Sequence, residues 1–245
     1  VRDTDIDGSG TDGAWHTYSF TTILYPTTQA SVVNFANVGT TQFDVNWTPG
    51  NGATEAVFVR TGSTGTAFPV NGTTYTANTI FGSGSQISAS GWYCVFNGVY
   101  GGAVTVTGLT AGSIYSVMVC DLNGGAGTEA YNINTATGNP NVQVTLPVVT
   151  TTPVTASLVG TSVFTGGNVT FGGSTVTARG VVWNTTPNPT INPTLNGTGG
   201  GAFSSTITGL VVGTRYYVRA YATNAAGTAY GADVEFVAAN FNSSA

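Results

Sequence analysis

Four of the chain's ten acidic residues lie within its first twelve positions, in a pattern that could bind a cation. In calcium loops alternating carboxylates converge on one hard cation, and a glycine, here Gly8, permits the sharp turn. The candidate ligands are the side chains of Asp3, Asp5, Asp7 and Asp12 and the backbone carbonyl of Ser9. Ala14 stands where such a loop normally has a bidentate Glu, and no flanking helices are predicted. Two interpretations stay open: a calcium loop without helices, or a hydrated acidic linker.

Catalytic sites are hard to assemble from this sequence. His16 is the only histidine and lies in a predicted strand, which leaves little for multi-histidine metal sites or histidine-based triads. A glycosidase pair would have to come from Asp44, Glu55, Asp121, Glu129, Asp233 and Glu235. No spacing brings two of these carboxylates together, so we expect no enzymatic activity.

The two cysteines, Cys94 and Cys120, both lie in predicted strands. Counting from inward-facing Tyr115, Val117 and Val119 places Cys120 on the outer face of its strand. Two thiols in one exported domain tend to oxidise together, but the sequence does not show that their Cα atoms come within bridging reach. A disulfide and two separate free cysteines are therefore both open.

A group of aromatic residues suggests a binding surface. Its members are Trp92, Tyr93, Phe96 and Tyr100. Exposed aromatic rings can form a flat platform on which sugars stack, and polysaccharide is then the expected ligand. Alternatively, alternate members enter the core and the others cover the neighbouring chain.

The chain is poor in charge. Charged residues make up 6% of it, against about 25% in an ordinary domain. It has no lysine, five arginines and a net charge of −5, so we expect no nucleic-acid partner. A neutral surface opposes association with copies of the same chain only weakly. No run approaches 18 apolar residues, so membrane insertion is not expected.

Short strands dominate the predicted secondary structure. Apolar and polar residues alternate over 42–47, 103–109 and 114–120, which is the period of a strand with one buried face. Clusters of Gly, Asn and Pro separate these segments, and no helix is predicted. Many short strands with frequent turns indicate an all-β protein built from β-sandwiches.

An internal repeat divides the chain into two units. Leu109, Tyr115 and Asn123 recur 101 residues later. Their counterparts are Leu210, Tyr216 and Asn224. Ala-Gly-Thr follows each Asn, with a displacement of one residue, so we interpret the chain as two copies of one fold.

Segments 108–127 and 209–227 resemble the E-to-F corner and F strand of fibronectin type III domains. This resemblance implies that Tyr115 and Tyr216 form tyrosine corners, in which the hydroxyl bonds to nearby backbone. Trp47 matches the family's core tryptophan of strand B.

The resemblance covers roughly 27–146 and 147–238, and the second unit is closer to a bacterial Ig-like variant. The first unit departs from the family by a long insert, residues 62–91. The second has no strand-B tryptophan and carries Trp183 in strand C instead. We predict an N-terminal segment, 1–26, and two domains, 27–146 and 147–245.

The N-terminal segment contains an extra strand that fits neither unit. The candidate pairing residues are Trp15, His16, Tyr18 and Phe20. A lone strand is unstable in water, so it must pair within the chain, with a part of the protein outside this sequence, or with a neighbouring subunit.

Tandem modules of this family are common in secreted and surface proteins of bacteria. We therefore expect a non-enzymatic extracellular or cell-surface protein, as the subunit or repeat of a filament, stalk or adhesin joined by strand pairing. Calcium is the expected cofactor if the acidic loop binds a metal. The alternative is a carbohydrate-binding or spacer module of a secreted polysaccharide-degrading enzyme.

Overall fold

The computed structural model of the chain describes residues 22–156, 159–171, 174–239 and 241–242. All regular elements of this part of the chain are β-strands, and every ladder between named strands is antiparallel. The first eight strands are β1 (Ser31–Ala36), β2 (Phe43–Thr48), β3 (Thr54–Thr61), β4 (Tyr93–Gly98), β5 (Val104–Val106), β6 (Ile114–Asn123), β7 (Ala130–Tyr131) and β8 (Asn141–Val144).

These eight strands form the first sandwich. One sheet has the order β1-β2-β5, and the other has the order β4-β3-β6, with β7 and β8 both paired to β6. Alternation of apolar residues produces the core between the sheets, because successive side chains of a strand point to opposite faces. Its largest buried side chains include Phe43, Trp47 and Tyr115.

Nine further strands follow. They are β9 (Val148–Ala156), β10 (Val159–Gly160), β11 (Val163–Thr170), β12 (Ala178–Asn184), β13 (Gly201–Ile207), β14 (Arg215–Asn224), β15 (Gly227–Tyr230), β16 (Val234–Val237) and β17 (Phe241–Asn242). One sheet of the second sandwich has the order β13-β11-β9, and the other joins β12, β15 and β16 to β14. Strands β10 and β17 form a separate two-stranded ladder.

The two sandwiches stand end to end. Strand β6 runs from the E-to-F corner of the first sandwich to Asn123 at its other end, and β14 spans the second sandwich in the same way. Between them, the backbone N–H of Ser174 donates to the carbonyl of Gly112 at 2.9 Å, and the Asn224 side chain donates to the carbonyl of Thr145 at 2.9 Å. The corner of the first sandwich therefore meets the opposite end of the second.

The expectation of an all-β fold with two tandem sandwiches is confirmed. Only residues 145–147 separate strand β8 from strand β9. The predicted N-terminal strand covers residues 15–25, of which 15–21 lie outside the described residues and 22–25 form no regular structure. Among the described residues, no helix is long and apolar enough to cross a membrane.

Candidate functional site

The insert of the first sandwich covers the outer face of its larger sheet. The backbone N–H of Cys94 donates to Ser85 at 2.8 Å, and Asn78 donates to Cys94 at 3.1 Å, which fixes the insert along the edge of β4. A second apolar core lies beneath it, formed by Ala56, Phe58, Tyr75, Ile87, Trp92, Cys94, Met118, Cys120, Leu122 and Tyr131. The first sandwich thus has three layers, and the sequence did not predict the third.

A cavity of about 70 Å³ lies at the margin of this second core. Its apolar wall includes Phe68, Trp92 and Met118, and Gln29 and Asn139 contribute polar atoms. The indole N–H of Trp92 is buried without a hydrogen-bond partner. The cavity is large enough for a small group.

Cys94 and Cys120 are free thiols in the second core. Strand β3 lies between their strands, which separates the two Cα atoms by about 10 Å, beyond the reach of a disulfide. The structure therefore shows the second of the two open interpretations, separate buried cysteines. Burial raises the pKa of Cys94 to about 12 and raises that of Cys120 further, so neither is a reactive thiolate.

The four residues of the predicted sugar platform do not form one exposed surface. Trp92 is 2% exposed and lies under the insert. Phe96 and Tyr100 pack instead on Trp47 at the core between the sheets, with ring centroids 5.7 and 4.3 Å away. Tyr93 contacts Phe81 of the insert at 5.4 Å. These positions agree with the alternative stated from the sequence, in which some of the rings pack in the core and the others pack against the neighbouring chain.

Two of the acidic residues meet in the first sandwich. Glu55 of β3 and Asp121 of β6 are directly opposite in the ladder, and both are buried. The carboxylate of Asp121 accepts backbone N–H groups from Ala30 at 2.5 Å and from Gly50 and Gly52 at 3.1 Å. It therefore ties three chain segments together at one end of the sandwich.

Burial raises the pKa of both carboxyl groups. For Glu55, burial acts first and the nearby Asp121 charge second, while the N–H of Tyr100 opposes them. For Asp121, burial outweighs the three backbone hydrogen bonds, which lower the pKa. Sequence spacing missed this pair because the register between β3 and β6 brings it together.

The remaining described acids bond to groups other than a second carboxylate. Glu129 accepts the hydroxyl of Thr74 and the N–H of Gly127, while Asp44 accepts the hydroxyl of Thr105 at 2.6 Å. Glu235 pairs with Arg215 on the surface at 2.9 Å. Within the described part of the chain, no three His, Cys, Asp or Glu residues cluster as metal ligands.

The predicted calcium ligands lie outside the described residues, as do Trp15, His16, Tyr18 and Phe20. The described part of the chain begins at Thr22. The side chain of Asn123 donates to the carbonyl of Leu24 at 2.7 Å, and Asn71 donates to the hydroxyl of Tyr25 at 2.7 Å. The chain therefore enters the first sandwich at the end where Asn123 lies. We call this end the head.

Both tyrosine corners make the bond that the resemblance implied. The hydroxyl of Tyr115 accepts the backbone N–H of Thr110 at 2.8 Å, and that of Tyr216 accepts the N–H of Val211 at 3.2 Å. The first corner lies at the junction between the sandwiches. The second lies at the end of the second sandwich opposite the junction, which we call the tail.

No protein-family model matches the chain, and no curated protein matches it. Solved structures do match, among them a two fibronectin type III domain segment from chicken tenascin. That match has 13% identity and a TM-score of 0.37, and it covers 86% of this chain and 99% of that chain. Likeness at this level adds no functional inference, and the fold rests on the sheets described above.

Proposed function

We propose that the chain is a non-enzymatic structural module of a bacterial extracellular or cell-surface assembly, as the subunit or repeat of a filament, stalk or adhesin. The observation that carries this proposal is the end-to-end junction, in which the corner of one sandwich is bonded to the opposite end of the next. Such a junction builds length without using the sides of the module. The charge-poor surface supports self-association because it offers little repulsion.

Copies would be joined by strand pairing through the N-terminal strand. The support is that the chain enters the two sandwiches in the same way. Asn123 holds the carbonyl of Leu24 as Asn224 holds that of Thr145, and Thr145 directly follows the closing strand β8 of the first sandwich. By this likeness Leu24 enters the first sandwich as Thr145 enters the second, and we infer that the N-terminal strand completes a sheet of another copy.

The test is sedimentation velocity of the full chain and of a variant that lacks residues 1–21. We expect the full chain to form oligomers that grow with concentration and the shortened chain to remain monomeric. Circular dichroism of the shortened chain controls for loss of the sandwiches. A full chain that stays monomeric throughout would contradict the proposal.

A calcium ion in the acidic loop would stiffen the approach of this strand. The proposal rests on the spacing of Asp3, Asp5 and Asp7 and on the concentration of four acids in so neutral a chain. Calorimetric titration with calcium should give saturable heat that the Asp5→Asn, Asp7→Asn variant loses. No heat down to millimolar affinity would favour the hydrated linker.

A second candidate function is carbohydrate binding, and the cavity beside Phe68 and Trp92 favours it. Phe68 is half exposed at this cavity, so a ligand can reach it. The test is retention of the chain on insoluble polysaccharide. Weaker retention of Phe68→Ala, together with unchanged retention of a variant at the remote Val237, would support this function. Equal passage of all three proteins through the polysaccharide would exclude it for the polysaccharides tried.

A further inference from the structure

The edge strands of the first sandwich are short or already have partners for their backbone groups. A free edge of a sheet exposes a row of N–H and C=O groups to which another strand can add. The insert bonds to the edge of β4, and the carbonyls of Thr137 and Gly138 accept N–H groups from β1. On β8, the side chains of Asn141 and Gln143 bond to the backbone of the residues that follow them. Strands β5 and β7 have only three and two residues.

The second sandwich has one long edge strand without such protection. Strand β12 is bonded to the backbone of Thr194 and Asn196, β9 contains Pro153 and a register shift, and the short β16 carries Glu235. By contrast, β13 pairs with β11 over all seven of its residues without a shift, and it contains no proline and no charged residue. A regular, neutral edge of this kind is suited to accept a further strand.

Alternate residues of β13 direct their backbone groups away from β11. The carbonyl of Phe203 lies against β11, whereas the carbonyl of Ser204 accepts the side-chain amide of Asn196 at 2.8 Å. Because this direction alternates along an antiparallel strand, the N–H and C=O groups of Ala202, Ser204 and Thr206 face outward. All three residues are exposed. The edge therefore offers three N–H groups, and the carbonyls of Ala202 and Thr206, to another strand.

An exposed apolar side chain flanks this edge. Leu195 is 76% exposed. The residues on both sides of it reach β13, because the hydroxyl of Ser205 donates to that of Thr194 at 3.0 Å and Asn196 donates to Ser204. A strand added to β13 would therefore pack on Leu195 and remove its side chain from water.

The N-terminal strand cannot reach β13 of its own chain. Leu24 is held at the head, and β6, about 33 Å long, separates the head from the junction. Tyr18 lies six residues before Leu24, and six extended residues span about 22 Å at most. Strand β13 lies beyond the junction, so pairing between these two strands joins two copies.

We propose that residues 15–21 of one copy add to the free edge of β13 in a second copy, with Tyr18 or Phe20 packed on Leu195. This inference rests on the proposed function and names the sheet that accepts the strand. Apart from His16, neither strand has a residue that can carry charge, so electrostatic repulsion does not oppose the pairing.

Parallel pairing keeps the copies end to end. Strand β13 leads into the second corner, so it runs from the junction toward the tail. Strand β8 runs toward the second sandwich, and the N-terminal strand, which enters the first sandwich in the same way, runs toward its own head. When it lies parallel to β13, its own copy follows beyond the tail of the accepting copy. The contact joins two different surfaces, so it propagates as an open chain.

Two substitutions at one position separate the backbone from the side chain. Ser204→Pro removes an outward N–H and leaves the ladder to β11, since proline is tolerated where an edge N–H faces solvent. Ser204→Ala keeps the N–H and is the matched control. Sedimentation equilibrium of the full-length proteins should show association roughly tenfold weaker or more for the proline variant and within about twofold of the unchanged chain for the alanine variant. Circular dichroism should be the same for all three.

Mixing two blocked variants gives a sharper result. Tyr18→Pro with Ser19→Pro interrupts the N-terminal strand whichever of its edges faces β13. This variant and Ser204→Pro each keep one partner of the contact. Each alone should remain monomeric, and the mixture should form one-to-one dimers and nothing longer.

Hydrogen exchange of the unchanged chain provides a measurement that needs no variant. On assembly, the amides of Ala202, Ser204 and Thr206 should become protected. If the unchanged chain assembles while these amides stay unprotected, or while Ser204→Pro assembles equally well, β13 is not the accepting edge, although assembly itself stands. A mixture that gives no dimer also overturns the inference. If the unchanged chain does not associate at any concentration, both the inference and the proposed function fail.

Discussion

The two F strands show how one fold presents two different outer faces. In β6 every residue from Tyr115 to Leu122 is buried, whereas in β14 only alternate residues are buried. The outward positions of β6 are Ser116, Met118, Cys120 and Leu122. Their counterparts 101 residues later are Tyr217, Arg219, Tyr221 and Thr223. Apart from Asp121 near one end of β6, the inner faces are apolar in both strands, so the difference lies in what covers the outer face.

Each outer face is stabilised in its own way. The insert makes a dry core over β6, while β14 uses amphipathic side chains that cover one another. The guanidinium of Arg219 lies 4.0 Å from the centre of the Tyr230 ring and donates to the carbonyl of Pro189 at 2.7 Å. The comparison teaches that the first sandwich depends on a third layer and that the second does not.

The largest effect should come from exchanging residues between the two faces. Met118→Arg places an unpaired charge under the insert and should cost the first sandwich about 4 kcal/mol or more in free energy of unfolding. The reverse change, Arg219→Met, should cost the second sandwich about 2 kcal/mol, through the lost hydrogen bonds to the carbonyls of Pro189 and Asn188, the ion pair with Asp233 and the ring contact. Urea denaturation followed by tryptophan fluorescence measures both.

Thiol reactivity provides the control for this exchange. Cys94 and Cys120 should resist a thiol reagent in the unchanged chain, because both are buried as neutral thiols. In Met118→Arg they should react quickly, because the insert opens. Equal costs for the two exchanges, or slow labelling in the variant, would contradict the dependence on the third layer.

A smaller effect is expected from the buried carboxylate of the first sandwich. Asp121→Ala leaves the N–H groups of Ala30, Gly50 and Gly52 without their acceptor and should cost about 3 kcal/mol. Asp121→Asn keeps one acceptor oxygen and should cost less. An alanine variant as stable as the unchanged chain in thermal unfolding would show that these N–H groups find other partners.

The two tyrosine corners offer a direct comparison between the units. Tyr115→Phe leaves the N–H of Thr110 without its acceptor beside the covered junction and should cost roughly 1.5 kcal/mol. Tyr216→Phe does the same to Val211 at the exposed tail, where water can replace the hydroxyl, and should cost roughly 0.5 kcal/mol. A larger loss in the second unit, measured by urea denaturation, would reverse this account of the junction.

The smallest expected effect is a pH dependence of stability that arises in the first sandwich. Burial raises the pKa of Glu55 and Asp121 in the folded state, so the folded protein holds their protons more tightly than the unfolded chain. The contribution of these two groups to stability should therefore fall as pH rises from the unfolded pKa values through the folded ones, while the lowered pKa values of Asp44 and Glu129 act in the opposite direction. Relative to the unchanged chain, Glu55→Gln should therefore become more stable as pH rises over that range. A difference between the two proteins that does not change with pH would contradict the assignment.

Much of the fold could be predicted from the sequence, because alternation and the 101-residue repeat report directly on buried faces and on duplication. Cover of the outer face could not be predicted from alternation alone, since Met118 and Cys120 look like outward residues of any strand. Comparison with Arg219 and Tyr221, 101 residues later in the repeat, could have predicted it. It shows that the outward face is apolar only in the unit that has the insert.

The candidate sites were less predictable because they depend on register and contact between distant segments. Glu55 and Asp121 are 66 residues apart and meet only through the pairing of β3 with β6. This relation is not visible in local spacing.

Negative-stain imaging of the native, full-length chain tests the central claim most directly, which is that end-to-end sandwiches build an extended assembly. Each sandwich is spanned by a ten-residue F strand, about 33 Å long, so two sandwiches with their turns give a repeat of about 70 Å. The account predicts filaments with that axial repeat. Dispersed single rods at every concentration, or copies packed side by side, would contradict it.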